Sequence, residues 1–270
     1  MIKQAIIPLA GLGTRLLPLT SVLPKELLPI NGKPGIEYII EECINSGIKE
    51  IIFIISNKKK MIKKYFYNDK FYKKIIKKKN DFRLKQEYLK IKKYKKMIKF
   101  VYQNSPKGTG DAVLKCKKLI KSKHFLMLMP DDLIISNNCS KSLINLHRKF
   151  KSSVIASKKV NRSEVSRWGI FKVKKINKTI FKIKDVIEKP SIKLAPSNYA
   201  VIGRYILPKK IFNILDKQKP GKNGEIHITD SIRTLILSGN SFIGHIFAGK
   251  YLDCGSMKGY INSSIEISKI

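Results

Sequence analysis

Acidic side chains are scarce in this sequence: 19 Asp and Glu stand against 56 Lys and Arg in 270 residues, a formal net charge of +37. Scarcity makes the place of each carboxylate informative. Cysteine is sparse as well. The four, Cys43, Cys116, Cys139 and Cys254, show no Cys-x-x-Cys spacing, and Cys43 and Cys116 fall on the apolar stripes of predicted helices. They read as reduced thiols, which excludes a disulfide scaffold and a cysteine zinc site. His124, His147, His227 and His245 also lack metal-ligand spacing. No apolar run approaches the roughly 18 residues needed to cross a bilayer. The stretch Ala5 to Ala10 is too short for a signal peptide and feeds directly into a glycine loop. The expected setting is the cytoplasm, with no membrane partner.

Arginine is the minority cation, seven of the 56 basic residues. A basic surface attracts nucleic-acid backbones, but base reading relies heavily on arginine forks. Here the excess is lysine, spread along the chain beside abundant Ile and Asn, as drift toward A/T-rich codons would leave it. No specific nucleic-acid partner is expected.

Against these absences, the first thirty residues are rich in signal. An apolar strand, Gln4 to Leu9, runs into Ala10-Gly11-Leu12-Gly13-Thr14-Arg15, and Pro24-Lys25-Glu26-Leu27-Leu28-Pro29 follows. Glycines at 11 and 13 let backbone N–H groups approach a polyphosphate closely, and Arg15 and Lys25 can neutralise its charge. Two other glycine-loop readings fail. A dinucleotide fingerprint needs a third glycine where Leu16 stands and an acidic residue about 20 positions on; a P-loop string does not occur.

Further along, elements alternate. Gly35 to Ser46 carries a helical stripe (Ile36, Ile39, Ile40, Cys43, Ile44), Glu50 to Ile55 is a β-branched run suited to a buried parallel strand, and Lys58 to Lys99 reads as lysine-rich helices with a narrow apolar seam. Strands are predicted at Lys99 to Gln103 and His124 to Met129, with a helix over Thr109 to Ile120. The second half is strand-rich: Ser153 to Lys159, Gly169 to Lys174, Ile180 to Glu188 and Tyr199 to Leu207, with helices at Lys209 to Leu215 and Thr229 to Leu237. Phe242 to Ala248 should return to the core and Ser256 to Ile267 form the last helix.

With the loop and the Pro-Lys-Glu block in place, the sequence resembles the sugar-1-phosphate nucleotidyltransferases, and within them the bacterial uridylyltransferase branch. Thymidylyltransferase relatives typically read Gly-Gly-x-Gly-Thr-Arg and lack that block. The resemblance extends through Gln103, Lys107-Gly108-x-Gly110, Pro130-Asp131, Val186-Ile187-Glu188-Lys189-Pro190, Gly203-Arg204-Tyr205, Gly224-Glu225-Ile226, Thr229-Asp230 and Asp253-Cys254-Gly255. It implies an α/β fold: a Rossmann-like doubly wound mixed sheet with a β-rich sugar-binding extension. One domain over 1–270 is expected, with 1–150 mainly the nucleotide-binding core, 151–240 mainly the sugar-phosphate side, and 241–270 returning to the core. Enzymes of this type usually continue beyond the Gly259-Tyr260 region with helical residues that help subunits associate. This sequence ends at Ile270, so association into a homo-oligomer stays open.

The resemblance also implies roles. Ala10, Gly11, Gly13 and Thr14 would hold the phosphates of UTP, with Arg15, Lys25 and Lys189 as the catalytic cations. Gln103 and Gly108 would read uracil, the glutamine amide matching a donor and an acceptor on the base edge. Asp131 and Asp253 would share an Mg²⁺ ion, Asp132 being the neighbouring decoy. Gly169, Glu188, Lys189 and Gly203 would hold glucose 1-phosphate, the glycines by allowing the sugar close. Trp168 either covers the sugar or belongs to the core. Each residue also has a bland reading: a turn or N-cap for the aspartates, a strand end for Glu188-Lys189, a surface cation for Arg15 or Lys25. A thymidylyltransferase or other sugar nucleotidyltransferase is the nearest alternative activity, and a non-catalytic module of the same fold a more distant one.

Overall fold

A computed structural model describes residues 2–221 and 224–270. Strand β1 (Gln4–Pro8) is buried along its whole length. Its side chains divide between two apolar layers, Ala5 and Ile7 on one side and Ile6 on the other. That period of two, with both faces apolar, marks a central strand sandwiched between helices. A small hairpin, β2 (Pro29–Ile30) and β3 (Lys33–Pro34), leads into helix α1 (Gly35–Asn45). The predicted stripe of Ile36, Ile39, Ile40 and Cys43 is buried against the sheet, and Gly47 at φ +83° turns the chain out. Strand β4 (Glu50–Ile55) repeats the two-faced pattern, with Ile51, Phe53 and Ile55 opposite Ile52 and Ile54.

The lysine-rich stretch forms α2 (Lys60–Tyr67), α3 (Asp69–Lys79) and α4 (Phe82–Met97). Its apolar seam is narrow, as the sequence suggests: α4 buries Tyr88, Ile91 and Tyr94, and α3 buries nothing. Strand β5 (Ile98–Tyr102) follows, then α5 (Thr109–Leu114), β6 (His124–Leu128), β7 (Asp132–Ile135) and α6 (Cys139–Phe150). Helix α5 is shorter than the predicted Thr109 to Ile120. Beyond Leu114 the chain tightens into three-residue turns, Cys116 N–H bonding Val113 O and Leu119 N–H bonding Cys116 O.

The second half supplies β8 (Ser153–Lys159), β9 (Gly169–Lys175), β10 (Ile180–Glu188), β11 (Tyr199–Pro208), α7 (Ile211–Leu215), α8 (Ile228–Leu237), β12 (Phe242–Ile246), β13 (Lys250–Asp253) and α9 (Met257–Ile267). All but β13 of these strands join β1, β4, β5 and β6 in one nine-stranded sheet, order β5-β4-β1-β6-β11-β8-β12-β10-β9. Strands β5, β4, β1 and β6 run parallel, and β11 enters antiparallel to β6. Helices α1, α2, α4, α6 and α9 contribute to one apolar layer and α5, α7 and α8 to the other, the doubly wound arrangement. Strand β12 lies between β8 and β10, so the return segment pairs with second-half strands.

Two features position the site. The parallel strands end on a common edge, where open α/β sheets bind ligands. Strand β11 then joins both sides of that edge: Arg204 pairs with Leu128 at the end of β6, and Ala200 pairs with Ile170 at the start of β9. A separate ribbon, β7 with β13, pairs Asp132 with Asp253 and so brings two distant sequence blocks together.

Candidate active site

The glycine loop leaves β1 at the sheet edge. Gly13 has φ +72°, a left-handed conformation that a side chain would strain, and its carbonyl accepts a hydrogen bond from Thr20 Oγ1 at 2.8 Å. Gly11 differs. Its φ is ordinary and a Cβ there would meet nothing within 4 Å, so the fold itself does not require glycine. The missing side chain leaves room beside a cleft of about 390 Å³. Ala10, Gly11, Gly13, Thr14, Lys25, Gln103, Gly108 and Asp131 all line that cleft. Eight residues chosen from sequence therefore meet in one cavity.

Lys25 and Asp131 form its charged wall. Lys25 Nζ lies 2.7 Å from Asp131 Oδ2, and Arg15 reaches the same oxygen at 3.6 Å from a more exposed position. Burial alone would lower the Lys25 ammonium, but the charges of Asp131 and Glu26 outweigh it and leave it raised. For Asp131, burial works upward, but Lys25, a backbone hydrogen bond and Arg15 together outweigh it and hold the carboxyl below its ordinary range. Next to it, Glu26 is buried and accepts both hydrogen bonds from Lys59 Nζ, at 2.8 and 2.9 Å.

Asp132 does different work. Its Oδ2 accepts from Gly203 N–H at 2.9 Å and its Oδ1 from Tyr251 O–H at 2.7 Å, and burial together with the Asp131 charge pushes it up to about 6. Behind both aspartates, Arg204 is fully buried. It donates to the Glu42 carboxylate at 2.8–3.0 Å, to Met129 O at 3.2 Å and to Asp132 O at 2.7 Å. One guanidinium thus ties α1 to the backbone of the segment that carries Asp131. A lone arginine inside the apolar run Tyr199 to Leu207 is the sequence signal for such a clamp.

Asp253 arrives through the β7–β13 ribbon. A Cβ built on Gly255 would sit 2.6 Å from Arg15 Nη2, 2.8 Å from Asp131 Oδ2 and 3.1 Å from Asp253 Oδ1. The two carboxylates and the guanidinium therefore converge on one space that only glycine leaves clear. Two carboxylate oxygens, with phosphate oxygens and water for the remainder, suit a hard divalent cation such as Mg²⁺. Among the described residues no cluster of three or more His, Cys, Asp or Glu could hold an ion by itself.

The pair predicted to read the base, Gln103 and Gly108, also lies in the cleft, with a different division of labour. Gln103 is buried, and its Nε2 donates to Asp111 Oδ2 at 2.7 Å and to Gly108 O at 3.2 Å. The amide nitrogen is taken up within the fold, so the glutamine offers a ligand its Oε1 alone, not the donor and acceptor together that the sequence reading assigns. Gly108, at φ +94°, lies where a Cβ would come within 2.5 Å of Ile226 O.

The residues predicted to hold the sugar, Gly169, Glu188, Lys189 and Gly203, stand apart from the cavity wall, and Arg15 and Asp253 are not among the residues lining it either. Gly169 pairs with Glu188 across β9 and β10, and a Cβ there would come within 3.1 Å of Glu188 Oε2. Among the described residues nothing hydrogen-bonds that carboxylate. Lys189 has φ +44°, left-handed for a lysine, and its N–H donates to Trp168 O at 3.0 Å. Gly203 is closely packed: an added Cβ would meet Asp132 Oδ2 and would lie 2.5 Å from Met129 Cβ, so packing inside the protein is enough to account for the glycine. Trp168 packs edge-on against Tyr251, ring centroids 5.8 Å apart, beside the core. Glu225 also lines the cleft and has no role in the sequence reading; its place in the Gly224-Glu225-Ile226 block was the available signal.

A family model described as nucleotidyl transferase matches residues 4–269. The UTP–glucose-1-phosphate uridylyltransferase 1 of Staphylococcus saprophyticus is 36% identical, over 99% of this chain and 93% of that protein. The UTP–glucose-1-phosphate uridylyltransferase of Pseudomonas aeruginosa is 36% identical over 98% of this chain and 95% of its own length. Among solved structures, a UDP-glucose pyrophosphorylase complexed with UDP-glucose superposes with a TM-score of 0.86 at 38% identity, covering 100% of this chain and 99% of that one.

Proposed function

The chain belongs to the nucleotidyl transferase family, and from that premise we propose that it transfers a uridylyl group from UTP to glucose 1-phosphate, giving UDP-glucose and pyrophosphate. The observation that carries this reading is the single cleft in which the glycine loop, the Lys25–Asp131 pair and Gln103 meet. Loop N–H groups at Gly11 to Thr14 bind the phosphates of UTP, and Gln103 with Gly108 binds the base. Glu188 accepts hydrogen bonds from sugar hydroxyls, and Lys189 grips the sugar phosphate. An oxygen of that phosphate attacks the α-phosphorus in line and pyrophosphate leaves. The nucleophile is already anionic, so no general base is needed, and catalysis rests on positioning and charge neutralisation by Lys25 and Arg15.

Asp131 and Asp253 are the groups that would hold Mg²⁺, which supplies Lewis-acid neutralisation of the substrate phosphates when bound. This reading takes 1–270 as one nucleotidyltransferase domain, supported by the continuous sheet, and sets it in the cytoplasm, where four buried free cysteines persist as thiols. The test is pyrophosphate release by the purified protein offered glucose 1-phosphate, Mg²⁺ and each of UTP, dTTP, CTP, ATP and GTP. UTP should give the highest kcat/KM. A preference for dTTP would move the chain to thymidylyl transfer, and no turnover with any nucleotide would leave a non-catalytic binding module.

A further inference from the structure

Asp111, on the first turn of α5, has no part in phosphate or sugar handling, yet it is buried and its Oδ2 takes the hydrogen bond from Gln103 Nε2 at 2.7 Å. Lys115 Nζ approaches the other oxygen at 3.2 Å, so the carboxylate is bounded by a cation on one side and the glutamine on the other. A carboxylate only accepts hydrogen bonds. A glutamine amide can otherwise turn over and exchange its oxygen for its nitrogen; beside an acceptor-only carboxylate at 2.7 Å it has one permitted orientation. Among the described residues nothing donates to Gln103 Oε1, and Gln103 lines the cleft.

Resting on the uridylyl-transfer reading, we infer that Asp111 is the positioning residue that locks the Gln103 amide with its oxygen toward the base, and so makes the site select a pyrimidine that carries an N3–H. Uracil and thymine have that donor. Cytosine has a lone pair at N3, which would meet the lone pairs of Oε1 and leave two buried acceptors facing each other. Removing the lock without removing the partner should relax the choice: an asparagine or serine at 111 can donate to Oε1, letting the amide reverse and present Nε2–H to cytosine N3. Gly108 O, at the longer distance of 3.2 Å from Nε2, still favours the original orientation, so discrimination should fall without vanishing.

The experiment measures kcat/KM for UTP and CTP, each with glucose 1-phosphate, in wild type, Asp111→Asn, Asp111→Ser and Asp111→Glu, with thermal unfolding of each variant as a check on folding. The UTP-to-CTP ratio should drop by about tenfold or more in the Asn and Ser variants, the consequence expected of one unmatched buried polar contact. In Asp111→Glu, which keeps an acceptor-only group, the ratio should be retained. A purely structural role would lower both activities in parallel and leave the ratio alone. An unchanged ratio in whichever of the Asn and Ser variants folds overturns the inference while leaving uridylyl transfer intact. A wild type inert toward UTP overturns the functional reading itself and this inference with it.

Discussion

The nucleotide side and the sugar side of this site are built on opposite plans. On the nucleotide side the polar groups satisfy one another within the fold: Lys25 with Asp131, Lys59 with Glu26, Gln103 with Asp111, and Arg204 with Glu42. On the sugar side, Glu188 has no hydrogen-bond partner among the described residues, and Lys189 is placed by an unusual backbone conformation at the end of β10. Burial accounts for part of the difference: Glu26, Gln103, Asp111 and Arg204 are buried, Lys25, Asp131 and Glu188 are half-buried, and Lys189 is exposed. An ionised group out of water costs several kcal/mol unless it is paired, so the buried members of the wall must be pre-assembled, whereas the exposed lysine can wait for its ligand. Lesions on the nucleotide side should therefore cost stability and rate together, and lesions on the sugar side rate alone.

The largest effect is expected for Lys25→Ala. Losing this half-buried cation, proposed to neutralise the departing phosphates, should lower kcat by about 10²- to 10³-fold. The same change leaves Asp131 with only Arg15, at 3.6 Å, and should lower unfolding free energy by about 1–3 kcal/mol. Steady-state kinetics and denaturant unfolding on one preparation measure both. Wild-type turnover would remove Lys25 from the site, and a large kinetic loss with wild-type stability would break the proposed link between pairing and depth.

Gly203→Ala probes the boundary between the halves. The added methyl would press on Met129 Cβ at 2.5 Å and on Asp132, an overpacking worth about 1–3 kcal/mol. KM for glucose 1-phosphate should stay near the wild-type value in whatever protein remains folded. A large rise in that KM at unchanged stability would support the sugar-site role for Gly203. Glu188→Gln should show the reverse pattern: KM for glucose 1-phosphate up by about tenfold for a lost charge-assisted contact, with unfolding free energy changed by no more than roughly 0.5 kcal/mol, since this half-buried carboxylate has no hydrogen-bond partner among the described residues to lose. Loss of stability there would mean that Glu188 is already engaged inside the fold.

The same contrast governs what was legible in the sequence. Strands with both faces apolar, such as Glu50–Ile55, announce a central sheet, and the glycine loop announces phosphate, because both signals are local. The α6 helix and the β7–β13 ribbon carry no comparable signal. Ribbon partners such as Leu133 and Leu252 are separated in sequence by all of β8 to β12. Long-range pairing also hid the partners of the site residues: Lys59 reaches Glu26, and Arg204 reaches Glu42, across segments with no shared motif. The close packing of Gly203 was hidden for the same reason, since Met129 and Asp132 come to it from a distant segment. Residue types that chemistry demands could be read directly; the groups that hold them in place could not.

The smallest effect lies away from both halves and serves as their control. His124 opens β6 at the end opposite Asp131, and burial, then His147 and Lys210, push its imidazole from 6.5 down to about 4. Its ring lies 4.4 Å from that of His147, whose Nδ1 donates to Ser152 O, and Lys123, Lys151 and Arg148 complete a basic surround. Between pH 6.5 and about 4 the unfolded chain binds a proton here that the folded chain does not. The stabilisation is therefore complete above 6.5 and is lost as the pH falls toward 4. His124→Gln should flatten that part of the stability curve and leave kcat at neutral pH unchanged, because the residue touches neither substrate side. Unfolding curves collected across the interval, with turnover measured in parallel, test the pair of expectations. A pH-independent wild type would remove His124 as the source, and a fall in kcat would show that this end of β6 is coupled to the cleft.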